Sequence, residues 1–178
     1  ASVSFGTAAL TKPAAPSNLT GAFQTGPQVL LAWVDNADNE SGFVIERSAN
    51  GSAFSTLITI GPRTNTGSVS YTDTTVEPGI TYTYRVAAVN GAGLSGYSNT
   101  ATVVVPAPPA APTNFLATAA ILNRNASTVT LTWADVATET GYVIQRSTNA
   151  TFTANLVITS LGANATSYTT GKLSRFTP

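Results

Sequence analysis

The sequence predicts an all-β protein built of tandem two-sheet sandwiches. Three observations predict it. Short apolar runs are separated by turn residues at the spacing of small all-β domains. No stretch carries a helical period with caps at its ends. One unit is also written twice, about 100 residues apart, as Trp33 and Trp133 mark. "VLLAWVDNADNESGFVIERSANGSAFSTLITIG" lies beside "VTLTWADVATETGYVIQRSTNATFTANLVITSLG". Asp35 matches Asp135, Glu40 matches Glu139, and Phe54 matches Phe152. A repeat of that length is one small domain.

The elements follow in order. Seven strands are expected in the first unit, near 17–23, 28–35, 42–48, 54–60, 68–73, 81–90 and 97–105. "QVLLAWVD" and "GFVIERS" are apolar runs bounded by turn residues. "TYTYRVAAVN" alternates, with Tyr82, Tyr84, Val86 and Ala88 on one face and Thr83, Arg85, Ala87 and Val89 on the other. "ANGS" and "GAGLSG" are turn chemistry. Trp33 and Trp133 sit in an inward-facing pattern and belong to the core. The expected organisation is a leading segment 1–12, a first sandwich 13–106, a Pro/Ala connector 107–111 and a partial second sandwich 112–178. The connector composition makes a short, semi-rigid joint.

Composition narrows the function. Of 178 residues 43% are hydrophobic, enough for a core, and only 9% are charged. An average soluble domain carries about 25% charged residues. Eight basic and eight acidic residues balance to zero, so no basic field draws nucleic acid or an anionic membrane. No apolar run reaches the roughly 18 residues of a membrane helix. Without cysteine or histidine, disulfides, thiolate or imidazole metal sites and His-based catalytic triads are all excluded. "GLSGYS" has Tyr97 where a nucleophile elbow needs its second glycine. The expectation is therefore a protein that is no enzyme and carries no cofactor. Low charge with abundant Thr, Ser, Asn and Gly points to a secreted, extracellular or cell-surface protein.

Several separated motifs resemble one family. "PAAPSNL", a Trp on the second strand, "GFVIERS", "YTDTTVEPGITYTYRVAAVN" and "GYSNTATVVV" look like a bacterial fibronectin type III domain, an immunoglobulin-like sandwich. The resemblance covers Pro13 to about Val105 fully and Pro112 to Pro178 in part. It implies a corner in which Val76 and Pro78 precede Tyr82, whose hydroxyl bonds nearby backbone. Tyr71 aligns with Tyr168 and Val76 with Leu173, so the counterpart of Tyr82 would be residue 179. The second unit is then expected to lack its sixth and seventh strands. Its third strand, with Tyr142, Ile144 and Arg146, would keep an open edge. Each unsatisfied buried backbone group costs about 1–3 kcal/mol, against a net domain stability of roughly 5–15 kcal/mol. Three explanations are open: a longer multi-repeat chain, strands supplied by another subunit, or a vestigial unit with a disordered tail. Val3 and Phe5 in the leading segment alternate weakly and mark either a preceding domain's last strand or a donor strand.

Candidate sites are few. Asp35, Asp38 and Glu40 form the densest carboxylate cluster and could hold calcium. Turn stabilisation explains them as well, and the second repeat loses Asp38. The loop "NGAGLSGY" offers Asn90, Leu94 and Tyr97 as contact residues. Glu46 and Arg85 are expected outside, as a cross-strand pair worth about 0–1 kcal/mol. Asn-x-Ser/Thr triplets begin at Asn18, Asn39, Asn50, Asn125, Asn149 and Asn164. The resulting expectation is a structural spacer or adhesion protein whose partners are neighbouring repeats or other copies of itself, or a polysaccharide or cell-surface protein. The alternatives are a self-assembling filament or surface-layer subunit, and an accessory module of a secreted polysaccharide hydrolase.

Overall fold

A computed structural model describes residues 9–174. Val3 and Phe5 lie outside the described residues. The chain divides into two compact units between Pro108 and Pro109, inside the stretch expected to be the connector.

Unit 1 comprises β1 (Ser17–Gln24), β2 (Gln28–Asp35), β3 (Gly42–Ala49), β4 (Ser55–Ile60), β5 (Gly67–Asp73), β6 (Thr81–Asn90), β7 (Gly93–Leu94) and β8 (Ala101–Val104). One sheet runs β1-β2-β5, the other β4-β3-β6 with β7 and β8 both on β6. Every pairing is antiparallel. Strict alternation in β2 buries Val29, Leu31, Trp33 and Asp35. Facing them, β3 contributes Phe43 and Ile45, and β6 contributes Tyr82, Tyr84, Val86 and Ala88. Trp33 meets Phe43 edge-on at 5.7 Å. Each large apolar side chain so buried contributes about 1.5–3 kcal/mol. The expected corner is present, with the Glu77 amide donating to the Tyr82 hydroxyl at 3.1 Å.

The seventh strand, expected as one run over 97–105, is shortened to β8, and a two-residue strand, β7, precedes it on β6. Side chains take over the ladder between them. Ser95 and Ser98 donate their amides to the carbonyls of Ala88 and Val86 at 2.9 and 2.8 Å. Their hydroxyls accept from the amides of the same two β6 residues at 2.9 and 3.1 Å. Hydroxyls thus stand in for strand carbonyls, and periodicity alone does not register that exchange. Asn99 then clamps the other sheet, accepting from the Leu19 amide and donating to the Leu19 carbonyl, both at 2.9 Å. Those groups lie where β1 shifts register between Ser17 and Thr20, so Asn99 satisfies a bulge.

Unit 2 comprises β9 (Leu116–Asn123), β10 (Ala126–Thr132), β11 (Gly141–Arg146), β12 (Val157–Gly162), β13 (Ser167–Thr169) and β14 (Leu173–Ser174). β9 lies along one edge of β10, β13 and β14 along the other, and β11 with β12 makes a two-stranded sheet. Among the described residues β11 pairs with β12 alone, whereas β3 pairs with both β4 and β6. Trp133 and Val136 are its buried apolar residues, with Thr170 beside them among the polar ones. Both units start their third strand with glycine for the same reason. A Cβ on Gly42 would strike the Ile60 carbonyl oxygen, and one on Gly141 the Leu161 carbonyl oxygen.

Candidate functional site

Four polar or open regions stand out, and the fold itself engages most of their side chains. The first is a buried node at the end of β5. Asp73 is fully buried and accepts from Arg47 at 2.8 Å, the Tyr84 hydroxyl at 3.0 Å, and the Thr75 amide and hydroxyl at 2.9 and 2.7 Å. Burial pushes this carboxyl up, but the bonds from Thr75, Arg47 and Tyr84 together hold it below the ordinary aspartate value. Burial and the adjacent Asp73 push the Tyr84 hydroxyl well above the ordinary tyrosine value. Arg47 also lies over the Tyr82 ring, 4.8 Å from its centroid. The node joins both sheets. Sequence reasoning missed it, although one signal was legible: the repeat keeps the arginine as Arg146 and replaces the acid by Thr170.

The second region is the loop after β2. Asp35, Asp38 and Glu40 do not assemble into a metal site; no group of three or more potential ligands occurs among the described residues. Asp35 is buried and caps the loop through the Ala37 amide at 3.0 Å, and the Glu40 carboxylate accepts the Arg63 amide at 3.2 Å. Glu139 does the same for Asn164 at 2.7 Å, so the carboxylate shared by the repeats is a loop cap. Burial, with Glu40 nearby, pushes the Asp35 carboxyl above its ordinary value, against the pull of the Ala37 amide and Arg63. Its second oxygen has no hydrogen-bond partner. In unit 2 the corresponding aspartate receives the Tyr142 hydroxyl at 2.8 Å.

The same end of unit 1 straps down the segment before β1. Asn36 donates to the Ala15 carbonyl at 2.8 Å, and Asn39 and Asn90 donate to the Thr11 carbonyl at 3.1 and 2.7 Å. Asn90 is buried, and its carbonyl accepts the Ala92 amide at 2.8 Å. It is therefore withdrawn from the contact residues expected on this loop, because both ends of its amide hold backbone. Leu94 remains 37% exposed. Of the Asn-x-Ser/Thr triplets, those at Asn39, Asn50 and Asn149 have side chains likewise bonded to neighbouring groups.

The third region is a stack on the outer face of the larger sheet. Arg85 bonds Glu46 directly across the β3–β6 ladder at 2.8 Å. Its guanidinium lies between the rings of Phe54 and Tyr97, 4.2 and 3.8 Å from their centroids. The Tyr97 hydroxyl donates to the other Glu46 oxygen at 2.9 Å. Tyr97 keeps 37% of its surface exposed, but one ring face and its hydroxyl are already held.

The fourth region is the inner face of unit 2. Phe115, Leu131, Ile144 and Tyr168 line a cavity of about 400 Å³ together with Arg146 and Lys172. A second cavity of about 210 Å³ lies beside Trp133, Tyr142 and Ile144. Ile144 lines both cavities, Tyr142 the smaller and Arg146 the larger. Among the described residues no helix is long and apolar enough to cross a membrane.

A family model for the fibronectin type III domain matches residues 14–104. An Fn3-like protein from Clostridium thermocellum is 29% identical, with a TM-score of 0.43 over 55% of this chain and 98% of that one. The FN1–FN3 domains of chicken CNTN1 are 18% identical, with a TM-score of 0.44 over 90% of this chain and 55% of that one. Pectate lyase Pel3 from Pectobacterium carotovorum is 22% identical, with a TM-score of 0.39 over 48% of this chain and 26% of that one.

Proposed function

We propose that this chain, which belongs to the fibronectin type III family, is an extracellular spacer that holds neighbouring repeats apart and presents them. Domains of this family are generally non-catalytic structural or binding modules. The observation that carries the spacer reading is the strap at one end of unit 1. Asn36, Asn39 and Asn90 tie Thr11 and Ala15 to the loops, and Asn99 ties β1 to the segment before β8. Tension arriving through the leading segment would then load several bonds at once, as a stiff array needs. Low charge and a surface rich in Thr, Ser and Asn support a place outside the cell. Leu94 and Tyr97, each 37% exposed, are the residues its loop offers to a cell-surface protein or polysaccharide.

Single-molecule stretching across unit 1 tests this reading. The domain should hold until one cooperative rupture, and the double variant Asn39→Ala, Asn90→Ala should rupture at lower force. Gradual lengthening from Thr11 inward at low force would sink the spacer role. A second reading, a filament or surface-layer subunit whose sheet is finished by its neighbour, is favoured by the β11 edge that has no strand partner among the described residues. Polymers of the 178-residue chain in sedimentation would support it, and a stable monomer would remove it.

A further inference from the structure

Unit 1 covers the outer strands of its sheets in every place but one. On β5 the Arg63 guanidinium donates to the Ser68 carbonyl and lies against Gly67. On β1 the Asn99 amide holds both the amide and the carbonyl of Leu19 at 2.9 Å. β8 leans on β1 where Val103 meets Gly21, and Lys12 lies beside Gly93 of β7. β4 is the remaining outer strand, paired with β3 alone. Among the described residues no backbone bond from outside that ladder reaches it. Its sequence does not guard it either. "STLITI" holds no charge, proline or glycine, the residues that commonly keep edges from pairing. The one register shift falls at Leu57 and leaves 58–60 regular.

Register decides what fits this edge. Ile58 and Ile60 stand opposite Ile45 and Phe43, both fully buried, and so lie on the inward face. Thr59 stands opposite Val44 and lies outward. A second β4, laid antiparallel about a two-fold axis at Thr59, sets Ile58 of each copy beside Ile60 of the other. The two Thr59 side chains then face each other. Inward residues meet inward residues and outward meet outward, as strand alternation requires. Threonine pairs and β-branched pairs across strands are both favourable. Ile58, 36% exposed, gains cover. Eight basic and eight acidic residues balance, so two copies carry no net repulsion.

We propose that β4 is an interaction edge for a second copy of this chain. Two copies pair antiparallel through β4, and their larger sheets join into one. Strand addition satisfies the outer amides and carbonyls of both edges. The contact is isologous and closes as a dimer, so it does not propagate into a fibre. One short strand on another lies at the small end of specific interfaces, so the association is reversible and depends on concentration. The edge belongs to unit 1, whose two sheets already enclose a core, and it owes nothing to β11.

Sedimentation of the whole chain over a concentration series tests this, and a reversible dimer is expected. Thr59 is exposed, so Thr59→Lys sets two ammonium groups across the axis and leaves the core alone. It should weaken the dimer roughly ten-fold or more. An equimolar mixture of Thr59→Lys and Thr59→Glu chains should associate again, which separates a charge contact from a misfolded variant. Val143→Lys, at an exposed position of β11, should leave the dimer unchanged. A monomer at every concentration would overturn the proposal. So would a dimer that Thr59→Lys leaves intact, a mixture that stays monomeric, or a dimer that Val143→Lys dissolves. None of these outcomes depends on the force at which unit 1 ruptures, so the spacer reading stands or falls separately.

Discussion

Units 1 and 2 share a motif through their third strands and differ in what lies against them. β3 sits between β4 and β6, and its inward residues Phe43 and Ile45 are fully buried. β11 has the same pattern but pairs only with β12, and its inward Ile144 lines a cavity. The paths after the fifth strand also part. In unit 1 the chain leaves β5, places Val76 in the core and brings the Glu77 amide to Tyr82. In unit 2 Leu173 and Ser174 stay beside β10. Local alternation suffices for hairpins, and contacts distant in sequence close the sandwich.

The largest difference to break is the buried node. Asp73→Asn should cost unit 1 about 3 kcal/mol by leaving Arg47 unpaired, as is usual for breaking a buried pair. Urea unfolding, followed by Trp33 in a Trp133→Phe background, would measure it. The carboxyl is held below its ordinary aspartate value in the fold, so its stabilisation is present above that ordinary value and lost as pH falls through the folded value. The variant should therefore flatten the acid limb of the stability curve. An unchanged acid limb would mean that another carboxylate governs it.

A smaller effect should be common to both units. Gly42→Ala and Gly141→Ala each push a methyl against a carbonyl of the adjacent strand, and overpacking of that kind costs about 1–3 kcal/mol. Hydrogen exchange of β3 and β11 amides would read the two separately. A loss confined to Gly42→Ala would show that the β11–β12 ladder yields where β3–β4 cannot.

The smallest effect transfers a feature from unit 2 to unit 1. Phe43→Tyr should give Asp35 the hydroxyl donor that Asp135 receives from Tyr142, a gain of up to about 1 kcal/mol. Asp35 is held above its ordinary value. Its stabilising, neutral form is therefore fully present at low pH and lost as pH rises through the raised value. The new donor should lower that value and soften the loss. Carboxyl chemical shifts across a pH titration would detect it, and an unmoved Asp35 would place the hydroxyl elsewhere.

Much of this was readable in the residues. An apolar run bounded by turn residues located β2, alternation located β6, and the repeat aligned Trp33 with Trp133 and Glu40 with Glu139. Two features were not readable. The expected seventh strand is shorter than 97–105, with β8 over Ala101–Val104, because Ser95 and Ser98 bond β6 through hydroxyls before it, and these leave no trace in a polar–apolar pattern. Asn90 looked like a loop-tip contact because its type is common in turns, and only its proximity to Thr11, 79 residues away, buries it.

Residue types and their spacing set the all-β class, the two repeats, the inward faces of the strands and the absence of cysteine and histidine chemistry. These follow from residue type and a period of two, which act over a few neighbouring residues. The tertiary structure alone decided which polar groups are bonded and buried: Asp73 with Arg47, Asn99 with Leu19, and Asn90 with Thr11. It also decided that Arg146 lines an otherwise largely apolar cavity. Such pairings depend on the through-space approach of segments far apart in the chain, and no local pattern encodes that distance.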